Sequence, residues 1–354
     1  IGRGALNANT TASNNTAVGK DALLSNTTGS ENTAVGKDAL ASHTTGTVNV
    51  AVGSFALDSN TTGSANVAVG DNALGANTTA DNNTAVGRVA LLANTTGSNN
   101  TAVGYAALTA NTTAGSGTAI GYQSLLSNTT GEENVAVGRA ALGANSTGSF
   151  NVAVGKSALG ANTSASYNTA VGRLSLSSNT TGTRNTAVGY GALEDSATHN
   201  DCTCVGYNAG KESVGHNNTA VGSESLDACT TGYENTIVGA YTAHFITTGH
   251  NNTIVGNWAA SYVTQLQTGY QNIYMGAYAR PSATDVSGEI NISYNDTGKG
   301  ANTAYIGKAS YQGNNSSTWS TTSDIRIKKN VVDNNIGLDK INQIRVRNFE
   351  YRKP

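Results

Sequence analysis

The sequence predicts an all-β protein, a parallel β-solenoid (β-roll) of seventeen-residue coils, and three observations carry that expectation. The first is a fixed period. The glycine that closes each "AVG"-like triplet recurs from Gly2 through Gly19, Gly36, Gly53, Gly70 and Gly87 to Gly206, always seventeen residues on. Such a period belongs to solenoids and arrays, in which each unit buries its apolar face only against its neighbours. The second is composition: 42 Gly, 2 Pro and 12% charged residues, with an apolar fraction drawn mostly from Ala and Val, leave few large side chains for a wide core. The third is the pattern within one unit, N-[TV]-A-[VI]-G-x-x-[AS]-L-x-x-N-T-T-G-x-x, which lacks the three-and-four apolar spacing of a helix.

Taken in order, the unit opens with a four-residue strand ending at the glycine, because Val and Thr suit a pleated surface. A shorter apolar pair follows, and an Asn-Thr-Thr-Gly turn closes the coil, since Asn and Gly suit corners. Coils stacked about 4.8 Å apart pair each backbone with the next, and sixteen or so of them make a rod roughly 75 Å long. Within the strand, Thr/Val and Val/Ile point one way and the intervening Ala (Ala17, Ala34, Ala51 and their successors) points the other. Both directions are apolar. One face must fill the coil, and the other is expected to meet an identical roll, which predicts a homo-oligomer about a common axis. A monomeric solenoid with small Ala residues exposed is the alternative.

The "NTAVG" and "NVAVG" strands resemble the "S-V-A-I-G" coils in the head of trimeric autotransporter adhesins, and similar repeats occur in bacteriophage tail fibres. The resemblance spans residues 1 to about 256 and implies a homotrimeric fibre. Beyond Gly206 the period loosens: Gly222 comes one residue early, and Gly276 and Gly307 follow longer intervals. Residues 257–322 carry Trp258, Tyr262, Tyr270, Tyr274, Tyr278, Tyr294, Tyr305, Tyr311 and Trp319, which predicts a thicker core, a knob or a cap. Exposed aromatic residues at a fibre end also suit stacking on sugar rings. Trp258, Tyr262, Tyr270, Tyr278 and Trp319 are therefore the candidate contacts to a host-cell glycan or protein receptor.

Residues 323–354 change composition again, with eight Lys or Arg in 32 residues. Ser323, Asp324, Arg326, Lys328 and Asn330, followed by "IGLDKINQI" and "FEYR", resemble the start of the intramolecular chaperone domain of phage tail fibres and tailspikes, a short α+β segment here. By that resemblance Ser323 is the nucleophile and Lys328 the general base of a single self-cleavage, with no other enzyme activity expected. A lysine serves as base when burial lowers its pKa. A permanent cap that never cuts is the other reading. A chaperone answers a real hazard, because near-identical coils can slip by one step with every side chain still on its proper face.

Other features point away from further chemistry. A net charge of −2 gathers neither nucleic acid nor anionic membrane, and no run is apolar enough for a membrane span. The repeated "NTT" matches a glycosylation acceptor but sits at a turn where Asn and Thr bond to nearby backbone. The residue after each coil glycine is often basic or Tyr (Lys20, Lys37, Arg88, Tyr105, Tyr122, Arg139, Lys156, Arg173, Tyr190, Tyr207), as solvated coil edges or a binding ladder. His216 and His250 share one phase without a carboxylate pair, so no metal or cofactor is expected. Cys204 takes an Ala site, while Cys202 and Cys229 replace turn Asn residues and could bridge.

The chain begins in phase with its repeat and without Met, which suggests a piece of a longer polypeptide, anchored to a virion or cell surface through a preceding part. The expected function is adhesion by an extracellular phage tail fibre. A bacterial surface adhesin and a polysaccharide-cutting tailspike are the rivals, the latter resting on Asp285, Glu289 and Asp296 near the aromatic residues.

Overall fold

A computed structural model describes residues 1–212 and 215–307. It holds eighteen three-residue strands: β1 (Thr16–Val18), β2 (Thr33–Val35), β3 (Val50–Val52), β4 (Val67–Val69), β5 (Thr84–Val86), β6 (Thr101–Val103), β7 (Thr118–Ile120), β8 (Val135–Val137), β9 (Val152–Val154), β10 (Thr169–Val171), β11 (Thr186–Val188), β12 (Thr203–Val205), β13 (Thr219–Val221), β14 (Thr236–Val238), β15 (Thr253–Val255), β16 (Ile273–Met275), β17 (Ile290–Ile292) and β18 (Ala304–Ile306). Each pairs in parallel with the next, so one continuous sheet runs the length of the unit formed by residues 1–307, roughly 80 Å at ordinary strand spacing. No helix occurs among the described residues.

The strands are one residue shorter than the sequence pattern suggests, for a reason visible in the hydrogen bonds. The residue ahead of most strands, usually Asn, gives its backbone N–H to a side chain, not to a carbonyl: Asn49 N–H donates to Asn32 Oδ1 at 3.0 Å and Asn66 N–H to Asn49 Oδ1 at 3.0 Å. These Asn residues lie inside the coil, fully buried. Their Nδ2 groups donate across the interior, as Asn49 does to the Gly63 carbonyl at 2.9 Å.

A second interior ladder comes from the "NTT" Asn residues. Asn77 Nδ2 donates to Asn60 Oδ1 (2.9 Å) and to the Ala80 carbonyl (3.1 Å), and Asn94 repeats the arrangement one coil on. A buried, fully engaged amide is no acceptor for a glycan, so the turn reading of "NTT" holds. The next residue, Thr, donates its hydroxyl to the following coil, as Thr44 does to the Thr61 carbonyl at 2.9 Å.

The strand Ala faces inward and is buried from Ala34 to Ala187, packed with the Ala-Leu pair of each coil. The flanking Thr/Val and Val/Ile residues face outward. The glycine after the strand is forced by close approach: at Gly70, φ is +140° and a Cβ would lie 2.5 Å from the Gly87 carbonyl oxygen of the next coil. The opposite corners turn on left-handed residues that are not glycine. In one coil these are Asp21 (φ 56°), Leu23 (φ 53°) and Glu31 (φ 62°), and the Leu site keeps this conformation through Leu193.

The expected thickening after Gly256 takes another form up to Gly307. Strands β16 to β18 continue the same sheet, and Tyr274 enters the inward Ala site, fully buried. The irregular intervals are absorbed off the sheet. Thr203 pairs with Thr219, Thr253 with Ile273 and Ile290 with Ala304. The long gap from Gly276 to Gly307 holds a complete extra coil, in which Ser293 takes the glycine's place and donates its N–H to the Met275 carbonyl at 2.9 Å.

Candidate receptor-binding surface

Aromatic residues of the last coils collect at the two corners that flank the strands. Before the strand, Tyr233, His250 and Tyr270 form a column: ring centroids are 4.7 and 5.0 Å apart, with interplanar angles of 11° and 5°. After the strand, Trp258 lies flat on Tyr241 at 4.6 Å. Rings stacked this way cover one another's faces and show edges to solvent.

A different arrangement surrounds Tyr278, which meets Tyr262 (5.2 Å, 75°) and Tyr294 (6.3 Å, 90°) edge to face. The outer two rings stand well into solvent, Tyr262 at 45% and Tyr294 at 67% exposed, with the half-buried Tyr278 between them. Tyr262 owes its place to the long step between β15 and β16. Residues 262–265 bulge from the coil, closed by the Leu266 N–H to the Ala260 carbonyl (3.0 Å), and Val263 at φ 65° is held in a conformation rare for a β-branched side chain.

The structure thus brings Tyr262 and Tyr278 together, sets Trp258 and Tyr270 in two separate columns, and adds Tyr233, Tyr241, His250 and Tyr294. Tyr233, His250 and Tyr270 each sit three residues before a strand, so extending the phase argument to aromatic residues ahead of Gly256 finds this column. Trp319, Ser323 and Lys328 lie outside the described residues.

Beneath this surface the interior ladder ends on a carboxylate. Glu289 is fully buried; its Oε2 accepts from Tyr274 Oη (2.8 Å) and the Ser282 N–H (3.1 Å), and its Oε1 from the Gly300 N–H (2.7 Å). Burial, reinforced by the neighbouring carboxylate, pushes the Tyr274 phenol well above its ordinary pKa. With these oxygens turned inward, Glu289 is not placed to attack a bound sugar. The pair plugs the end of the ladder; Asp285 is exposed and Asp296 half-buried, so neither adds a second buried acid.

Cys202, Cys204 and Cys229 are buried free thiols, and burial raises the pKa of each. His216 meets His199 edge to face at 5.1 Å. Among the described residues no three His, Cys, Asp or Glu side chains converge, and no helix is long and apolar enough to cross a membrane. Comparison with protein-family models and with curated protein sequences returns no match.

Proposed function

We propose that the chain is the shaft and adhesive end of a homotrimeric fibre, most simply a bacteriophage tail fibre that binds a host-cell surface glycan or protein receptor. The observation that carries this reading is the outward face of the sheet. The last residue of all eighteen strands is Val, Ile or Met, and many are substantially exposed in the single chain, among them Val18, Ile120, Met275 and Ile306 at about two-fifths. A continuous row of partly exposed apolar side chains along eighteen strands is the kind of patch that marks an interaction surface. Another rod of the same pitch offers an equally long apolar face, and a parallel arrangement of three copies lets every coil meet its counterparts.

Sedimentation equilibrium tests the assembly. The expected mass is three times the 35.9 kDa chain, and a monomer at micromolar concentration sinks the trimer. Adhesion is carried in this reading by the exposed rings of Tyr262 and Tyr294, braced by Tyr278 between them. Tyr262→Ala with Tyr294→Ala is expected to lower binding to host cells by about tenfold. The proposed self-cleavage is tested by intact mass beside Ser323→Ala: loss of a C-terminal fragment in the parent alone supports a Ser323–Lys328 dyad, and two whole chains remove it. A bacterial surface adhesin built from the same coils is the second reading, distinguished by whether the native assembly is recovered on virions or in the bacterial outer membrane.

A further inference from the structure

One residue past each coil glycine, eight consecutive coils present Arg88, Tyr105, Tyr122, Arg139, Lys156, Arg173, Tyr190 and Tyr207, every one exposed. At ordinary strand spacing the stretch from Tyr105 to Tyr207 is roughly 29 Å long. The tyrosines stack in pairs at its two ends, Tyr105 on Tyr122 (5.3 Å, 18°) and Tyr190 on Tyr207 (5.4 Å, 14°). Arg139 lies over Tyr122 (5.8 Å) and Arg173 over Tyr190 (5.5 Å), so the two guanidinium groups lean apart and leave Lys156 between them.

The charges are treated differently elsewhere on the same corner. Lys20 pairs with Asp21 (3.3 Å), Lys37 with Asp38 (3.4 Å) and Arg88 with Asp71 (3.5 Å). In the three middle coils the residue that would neutralise the cation is Ala140, Ser157 or Leu174. No carboxylate lies within 4.0 Å of Arg139, Lys156 or Arg173 among the described residues. Three like charges stacked at the coil spacing repel one another; the two arginines lean onto the flanking tyrosines, but no carboxylate neutralises the column.

We infer that this column is a binding site for an extended acidic polysaccharide, whose carboxylate or sulfate groups meet the three cations while sugar hydroxyls meet the phenol edges on either side. The ligand class follows from which surfaces are open. A single nucleic acid strand is held by bases stacked on free aromatic faces. Here the inner tyrosines have each face covered, one by a second tyrosine and the other by an arginine, so mainly ring edges and hydroxyls are available. A stiff glycan bearing regularly spaced anions suits a straight column of fixed cations. The site lies on the shaft, apart from the tyrosine cluster of the last coils, and does not depend on that cluster's role.

The test titrates the intact chain with a uronic acid hexamer, a neutral glucose hexamer and a thymidine oligonucleotide. The uronic acid hexamer is expected to bind best, more weakly as salt rises. A triple Arg139→Gln, Lys156→Gln, Arg173→Gln variant is expected to lose about tenfold or more. Ser157→Asp, which places a carboxylate after Lys156 in the backbone conformation that Asp21 has after Lys20, is expected to weaken binding without removing a cation. Equal binding of the two sugar hexamers overturns the proposal, as does unchanged binding by both variants. An oligonucleotide that binds as tightly as the uronate, and is lost in the triple variant, reassigns the column to nucleic acid. Host-cell adhesion by Tyr262→Ala with Tyr294→Ala is read separately, so failure at one site leaves the other standing.

Discussion

The coils from Asn32 to Asn185 and those from Cys202 to Glu289 share one sheet but solve the interior differently. In the first region the two polar columns are almost all Asn, and the inward strand residue is always Ala. In the second, the "NTT" column runs through Cys229, Ile246 and Leu266, and the strand site through Cys204, Ala220, Ile237, Ile254, Tyr274 and Asn291. A uniform column fits its neighbours equally well after a slip of one coil. A column of unlike residues fits in one alignment only. Length therefore comes from the first region, and register from the second.

The largest contrast expected is at the glycines. Gly70→Ala meets both the positive φ and the carbonyl of the next coil, and is expected to lose more than about 3 kcal/mol in chemical denaturation. Gly300 is at φ +113°, and a Cβ there would meet nothing within 4 Å, so Gly300→Ala should lose only about 1–2 kcal/mol. Similar losses at both sites mean that close stacking is not what selects glycine.

A reciprocal exchange sharpens the comparison of the two columns. Asn66→Leu strands the Asn83 N–H and leaves the Ala80 carbonyl with Asn77 as its one remaining donor, and Ile246→Asn buries an amide between Cys229 and Leu266, which return no partner of the Asn kind. Each is expected to lose about 3 kcal/mol. Tyr274→Phe removes one of three donors to Glu289, and a loss of about 2 kcal/mol in the melting of the last coils is expected.

The smallest effect expected is a gain. His43 stands where its neighbours have Asn, with Nε2 on the Gly46 carbonyl (2.8 Å) and Nδ1 taken by Asn60 Nδ2 (3.0 Å). Both nitrogens are used, and Asn26 Oδ1 is left without a donor. His43→Asn restores that donor and should add about 1 kcal/mol. Burial also holds His43 below the ordinary histidine value of 6.5. The unfolded chain thus takes up the proton first, so the parent keeps this stability above about pH 6.5 and loses it as pH falls through the lower folded value. A protonated ring would also turn a second N–H toward Asn60. The variant's stability should be flatter across the same range, and an unchanged slope points to another group.

Period, strand position and the parallel stack were legible because a seventeen-residue repeat admits few alternatives. The inward direction of Ala34 and its successors was not, since Ala and Val are both apolar and alternation alone gives no sign. Asn32 and Asn60 read as corner residues, yet they fill the coil; only stacked copies satisfy such amides, and stacking is not a property of one repeat. Leu23 gave no signal either, because a left-handed Leu contradicts its local preference. At the candidate surface, composition picked out Tyr262 and Tyr278 as candidates, but not that they meet edge to face. The separate column of Tyr270 with Tyr233 and His250 needed the phase of the coil.

The left-handed leucines bear on how such a rod comes into being. Each holds a conformation about 1–2 kcal/mol uphill for an L-residue, comparable to what its burial returns. That burial exists only where another coil already lies alongside. One coil alone thus has no reason to form, and a coil laid against a finished neighbour has every reason. The rod grows as a one-dimensional crystal does, by addition at a face, and it should dissolve the same way, from its ends inward.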